Sequence, residues 1–262
     1  MMIAILVGIL LGISLLLYMV REAFLNKIVH HEFAFSEFPA TFGKVTIFFI
    51  SDIHRRVIAD KVIEEVKGKA DIVIIGGDLT EKGVPFDRVK ENLKKLKQLA
   101  PVYFVWGNND YETDYRKLDA TFLDYGIKVL DNTAVTFESK SGDKLSVLGI
   151  DDINQKRDRL DLALSDAESK SFKILASHYP DIKNKLMPDH KINLVLSGHT
   201  HGGQIHILGY SPYKKGRVEK IGNTTVLISN GYGTTGVPLR LGAPAECHLI
   251  TLIHDSSIKN NN

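Results

Sequence analysis

The sequence predicts an α/β domain of two sheets packed face to face with helices outside, preceded by an apolar N-terminal segment. Three observations predict it. In the first half, short runs rich in Val, Ile, Leu and Phe alternate with stretches of helical period. The second half is dominated by further strand-like runs. Residues 1–20 carry no charge at all.

The N-terminal run MMIAILVGILLGISLLLYMV is twenty residues long, and a helix of that length spans about 30 Å, the thickness of a bilayer core. It has no basic region ahead of it and no small-x-small cleavage site, so an uncleaved transmembrane anchor over 1–20 is expected rather than a signal peptide. Arg21 and Lys27 follow it and nothing basic precedes it, which puts the domain on the cytoplasmic side of the membrane by positive-inside counting, although Glu22 and Glu32 offset that charge. Residues 21–42 read as a membrane-proximal linker. Its Phe24, Phe33, Phe35 and Phe38 are expected to pack on the domain.

The domain itself is expected over 43–255, with a polar tail over 256–262. KVTIFFIS, DIVIIGG and VYFVWG read as strands. KVIEEVKGK, FDRVKENLKKLKQL and YRKLDATFLDYG read as the helices between them. Strands this continuously apolar are covered on both faces. IKVL, TAVTFES, KLSVLGI, FKILAS, INLVLSG, GQIHI, RVEKI, TVLIS and ECHLITLI follow as strands, with turns at 141–143 and 222–223. A formal net charge of +2 gives no sign of a nucleic-acid partner. The single cysteine, Cys247, excludes an intrachain disulfide framework and a zinc finger.

The residues that follow the strands carry the chemistry. Ser51-Asp52-Ile53-His54 follows the first, Gly77-Asp78 the second and Gly107-Asn108-Asn109-Asp110 the third. Ser177-His178-Tyr179-Pro180 and Ser197-Gly198-His199-Thr200-His201-Gly202-Gly203 follow two later ones. Gly, Asn and Asp after a strand are ordinary turn residues. A repeated set of hard and borderline donors at strand ends is not, because the carboxyl ends of strands are where α/β sheets build sites. Side-chain alternation lets Asp52 and His54 point one way, and likewise His199 and His201. Asp52, His54, Asp78, Asn108, His178, His199 and His201 are too many donors for one tetrahedral ion and suit two ions of higher coordination sharing a carboxylate. Without a cysteine among them they suit manganese, iron, zinc or nickel.

The order D-x-H, G-D, G-N-x-D, a lone His and G-H-T-H resembles the calcineurin-like metallophosphoesterases. IVIIGGDLT, ILASHYPD, SGHTHGGQI and GYGTTGVPLRLGAPAE further resemble their membrane-associated, YkuE/YaeI-like bacterial branch, over about residues 44–253. The resemblance implies a four-layer α-β-β-α sandwich and a phosphoester hydrolase with two divalent metal ions, manganese first among them. It implies one metal on Asp52, His54 and His201, a second on Asn108, His178 and His199, and Asp78 bridging. It also implies catalytic roles at 109 and 110. The family's motif has His at 109, oriented by the Asp that follows; here the residue is Asn109, which cannot donate a proton to a leaving group. His206 or a metal-held water is a possible substitute. Arg240 is expected either to clamp phosphate or to hold its own loop by bonding carbonyls. Tyr213-Lys214-Lys215-Gly216-Arg217 is expected either to meet anionic headgroups or to be a solvated turn. The expected function is a membrane-anchored phosphohydrolase acting on a phosphodiester or pyrophosphate, with a lipid-linked substrate compatible with the anchor. The alternative is a metal-binding regulatory membrane protein with a weakly active or degenerate phosphoesterase fold.

Overall fold

The structure is a computed structural model and describes residues 1–256. The tail expected over 256–262 lies, beyond residue 256, outside the described residues. Helix α1 (Met2–Ala23) comes first, and every residue from Met1 to Tyr18 is exposed. It is long and apolar enough to cross a membrane.

Among the described residues the strands form two six-stranded mixed sheets. The first has the order β1 (Lys27–Phe35), β12 (Glu246–His254), β2 (Lys44–Ile50), β3 (Ile72–Ile75), β4 (Val102–Phe104), β5 (Lys128–Val129). The second has the order β10 (Arg217–Ile221), β11 (Thr224–Ile228), β9 (Ile192–Ser197), β8 (Phe172–Ala176), β7 (Lys144–Gly149), β6 (Thr133–Glu138). Strands β2 to β5 run parallel, as do β7, β8, β9 and β11.

Alternation along the strands sorts the core into layers. In β2, Val45, Ile47 and Phe49 enter the core between the sheets. Phe48 and Ile50 point outward to α2 (Asp60–Val66), α3 (Phe86–Leu96) and α4 (Tyr115–Tyr125). In β9, Leu194 and Leu196 face the other sheet, while Ile192 and Val195 pack outward toward α5 (Leu160–Asp166). The result is the expected α-β-β-α sandwich.

Two sequence expectations change. Residues 21–42 are not simply a linker: β1 pairs in parallel with β12 from Lys27↔Glu246 to Phe35↔His254. Its sequence, KIVHHEFAF, is too charged to read as a buried strand, because an edge strand has one flank without a neighbour. Phe35 and Phe38 are buried between the sheets and Phe33 packs beside them, whereas Phe24 is exposed. GQIHI forms only isolated bridges, Ile205 with Leu241 and Gly242, and Ile207 with Tyr210.

Candidate metal centre

The loops after β2, β3, β4, β8 and β9 open at the same end of the sandwich. The expected donors are in these loops and not on the strands, so strand alternation is not what makes them converge. Left-handed backbone does. Asp52 (φ 54°), His54 (φ 51°), Asp78 (φ 51°), His199 (φ 68°) and His201 (φ 49°) all occupy the region that non-glycine residues avoid. Strain held at this density marks a site whose surroundings over-determine it. The backbone also approaches closely. A Cβ on Gly77 would stand 2.6 Å from Nδ1 of His178, so only glycine fits there.

Two groups of donors result. In each of Asp52–His54–His201 and Asp78–His178–His199, one ligand atom per residue lies within 4.8 Å of the others. Nε2 of His54 and Nε2 of His201 are 3.0 Å apart. Oδ1 of Asp52 is 3.4 Å from His201 Nε2, and His178 Nε2 is 3.3 Å from His199 Nδ1. The groups meet at Asp78, whose Oδ2 is 3.7 Å from His54 Nε2 and 3.2 Å from His178 Nε2. Asn108 borders the second group; its Oδ1 accepts a hydrogen bond from the Tyr179 hydroxyl at 2.9 Å, and its Nδ2 donates to Oδ1 of Asn109 at 2.9 Å.

The electrostatics of this cluster suit cations. Burial opposes charge on His178, but the Asp78 carboxylate, with Asp52 and the Gly76 carbonyl adding to it, lifts its pKa to about 10. Burial, and then the charge on His178, push His199 down to about 4. Burial also drives His201 well down, helped by His54 and Arg240. Two buried carboxylates, Asp52 and Asp78, thus face four imidazoles, of which His199 and His201 are pushed toward the neutral form that offers a lone pair, a donor set that suits a divalent cation. The donors fit two such ions.

Other expected residues separate into different roles. Asn109 lines a cavity of about 340 Å³ together with Asp78, Asn108, His199, His201, Gln204 and Thr235. Asp110 is fully buried, and its carboxylate accepts from the backbone N–H groups of Asp78 (2.8 Å), Gly107 (3.0 Å) and Thr80 (3.1 Å). Burial, and the charge on Asp78, raise its pKa to about 7 against those amides. The described hydrogen bonds of its carboxylate all go to backbone, so it ties the loops after β3 and β4 together. Arg240 is buried and donates to the carbonyls of His201 (3.1 Å), Ala243 (2.8 Å), Asn230 (2.6 Å) and Gly233 (2.7 Å). That is the loop-holding role. Nε2 of His206 is 2.7 Å from the Gly202 carbonyl, and the ring does not line the cavity. A second cavity of about 370 Å³ adjoins at His199 and Thr200, with Lys183, Lys214 and Arg217 in its wall.

Sequence reasoning passed over Glu81. Its Oε2 is 3.0 Å from Nδ1 of His54, and Oε1 bonds Arg55. A carboxylate three residues past Asp78 in GDLTE is the signal that was available.

Comparison with known proteins agrees with this geometry. The profile of the calcineurin-like phosphoesterase family matches residues 45–203. The Bacillus subtilis (strain 168) protein YpbG is 44% identical over 231 residues, covering 87% of this chain and 88% of YpbG. The uncharacterized metallophosphoesterase YkuE of the same organism is 28% identical over 255 residues, 88% of this chain and 87% of its own. A Danio rerio protein described as a transmembrane protein with metallophosphoesterase domain is 30% identical over 86% of this chain, which spans 57% of that relative. The chain belongs to the calcineurin-like phosphoesterase family and is a metal-dependent phosphoesterase.

Proposed function

We propose that the chain is a membrane-anchored phosphohydrolase with a dinuclear centre, cleaving a phosphodiester or a pyrophosphate, and that a lipid-linked substrate is the class its anchor favours. The observation that carries this reading is the position of Asp78 Oδ2 between His54 and His178, within 3.7 Å of one and 3.2 Å of the other. Asp52, His54 and His201 would hold one cation, Asn108, His178 and His199 the other, and Asp78 both. Manganese is the ion proposed, though iron, zinc and nickel suit the same donors. When bound, two divalent cations supply Lewis acidity toward the phosphoryl group and activate water.

The chain's own groups do the rest. Asn108 offers a neutral carbonyl, which leaves more positive charge at the centre than a carboxylate would. The Tyr179 hydroxyl fixes that carbonyl's orientation. Asn109 Oδ1 is occupied by Asn108, so its amide N–H groups are what it offers to a phosphoryl oxygen in the cavity. Asn109 supplies no proton, so the favoured leaving groups are those stable as anions, such as a phosphate.

The test is turnover of bis(p-nitrophenyl) phosphate and p-nitrophenyl phosphate by the full chain in detergent with Mn²⁺, beside Asp78→Asn. Diester hydrolysis that is lost in the variant is expected. Tight Mn²⁺ binding without turnover of either ester would favour the regulatory reading. For the anchor, the full chain should remain with membranes through alkaline carbonate. A protease added to intact cells should spare a cytoplasmic domain.

A further inference from the structure

The foot of α1 and the rim of the metal centre are joined. The N–H of Arg240 donates to the Met19 carbonyl at 3.1 Å, and the N–H of Ala245 to the Glu22 carbonyl at 3.1 Å. The Gly242 N–H reaches the Glu22 carboxylate at 2.7 Å. Arg240 holds the His201 carbonyl at the same time. This segment also pairs with the chain just beyond His201: Leu241 N–H donates to the Gln204 carbonyl and His206 N–H to the Leu241 carbonyl, both at 2.9 Å. From there the chain enters a tight turn, Ile207-Leu208-Gly209-Tyr210, closed by reciprocal Ile207–Tyr210 backbone bonds of 2.9 Å. One short segment thus fixes the turn, the helix foot and a ligand loop together.

The turn is poorly suited to water. Leu208 (φ 51°) and Gly209 (φ 86°) both have left-handed backbone, the arrangement in which Asn-Gly is the favoured pair. A leucine there is strained, and this one is 97% exposed. Ile207 and Tyr210 beside it are exposed at 69% and 85%. Val237, also exposed, lies on the loop whose carbonyl accepts from Gln204. Lys214 and Lys215 follow, both exposed. An apolar tip backed by lysines matches the boundary between acyl chains and anionic headgroups. Sheet polarity gives the same direction. β1 starts where β2 ends, because both pair with β12 near its first residues. The helix foot therefore stands at the site end of the sandwich. The β6–β7 turn at 139–143 stands at the opposite end, a strand length of roughly 17 Å away.

We infer that the tip 207–210 enters the surface of the bilayer that α1 crosses, so that the metal centre opens at the headgroup layer and receives its phosphoester from a lipid. The inference rests on the proposed anchor and adds a second, site-adjacent membrane contact to it.

The experiment uses the full chain in phosphatidylethanolamine–phosphatidylglycerol vesicles, with and without brominated acyl chains. Cys247 is buried and burial raises its pKa, so an introduced cysteine is the reactive thiol. An environment-sensitive fluorophore is placed at the tip through Tyr210→Cys, or at the far turn through Ser141→Cys. Brominated lipid should quench the label at 210 and leave the one at 141 unchanged. Adding Leu208→Asn, which suits the turn better and so preserves the fold, should abolish the quenching. A label at 210 as unaffected as that at 141, in protein that withstands alkaline carbonate, would overturn the tip contact and leave the anchor standing. Extraction by carbonate would overturn both. Quenching that persists undiminished with Leu208→Asn would remove Leu208 from the contact.

Discussion

Glu81 holds its carboxylate 3.0 Å from Nδ1 of His54, on the far side of the imidazole from the atom that faces His201 and Asp78. A carboxylate in that position fixes the ring's orientation and makes the inward nitrogen a stronger donor to a cation. Glu81→Ala is expected to weaken Mn²⁺ binding by about 10–100-fold, measured by metal titration of the full chain. Glu81→Gln, which keeps an acceptor, should lose less. Equal losses in the two variants would show that only the space filled by the side chain matters.

Asp110 makes a different kind of contribution. Its carboxylate satisfies three buried N–H groups, on Asp78, Gly107 and Thr80. Asp110→Ala strands all three at about 1–3 kcal/mol each, so a loss of at least ~3 kcal/mol in urea unfolding is expected. Asn109→Ala strands no comparable set and should stay within about 1 kcal/mol of the parent. Similar losses in both would refute the loop-tying role.

The sequence displays the donors because each follows an apolar strand, and a strand end is a position that local pattern can reveal. What joins them is less visible. Left-handed backbone at Asp52, His54, Asp78, His199 and His201 is imposed by neighbouring loops, among them the one Asp110 ties; Asp and His tolerate that conformation better than most residues, but their type does not say where it occurs. Strand β1 was hidden because its partner, β12, lies more than two hundred residues away and its free flank tolerates charge. Helix α5, LDLALSD, is too short for a helical period to register. Arg240 could be placed in its loop but not in its role, since a guanidinium bonds phosphate and carbonyl oxygens alike.

The edge strand makes a practical prediction. A chain starting at residue 43 lacks β1, and exposes the edge of β12 as a template for aggregation. It also strips Arg56 of the Ala23 and Leu25 carbonyls, which accept from its guanidinium at 3.3 and 2.9 Å. A chain starting at residue 22 keeps both. Gel filtration should find the longer form monodisperse and the shorter one aggregated. A well-behaved 43–262 fragment would show that β1 is dispensable.

His248 should make the domain acid-sensitive. Burial, with His31 3.1 Å away adding to it, pushes its pKa down to about 3. In the unfolded chain it takes up a proton near pH 6.5. Above that pH neither state is protonated and His248 adds no pH dependence. As pH falls from about 6.5 towards 3 only the unfolded state binds the proton, so stability declines. His248→Gln can keep the hydrogen bond to Ser229 and should lose less stability between pH 7.5 and pH 5 than the parent, in urea unfolding at each pH. Identical losses would exclude His248 as the cause.

On the proposed mechanism, Asn109 decides which leaving groups the centre tolerates. It lines the cavity with Asp78, Asn108, His199 and His201, yet a carboxamide cannot give up a proton. Rates should therefore fall steeply as the leaving group's pKa rises, with aryl esters and pyrophosphates reacting and alkyl diesters lagging. Asn109→His places a titratable ring at the cavity wall. It should raise kcat/KM for poor leaving groups by up to roughly 100-fold and change little for p-nitrophenyl esters, whose anion needs no proton. The gain has a structural ceiling. In this chain the Asp110 carboxylate already accepts from the backbone amides of Asp78, Gly107 and Thr80, which leaves a single acceptor site, on Oδ1, to orient the new ring. Asn109→Ala should keep metal binding and lose rate evenly across the series, because a hydrogen bond to the phosphoryl oxygen serves every ester alike. The measurement is a plot of log kcat/KM against leaving-group pKa for the three proteins. Parallel lines for the parent and Asn109→His would mean that another group already supplies the proton, and that the carboxamide at 109 is not what limits the reaction.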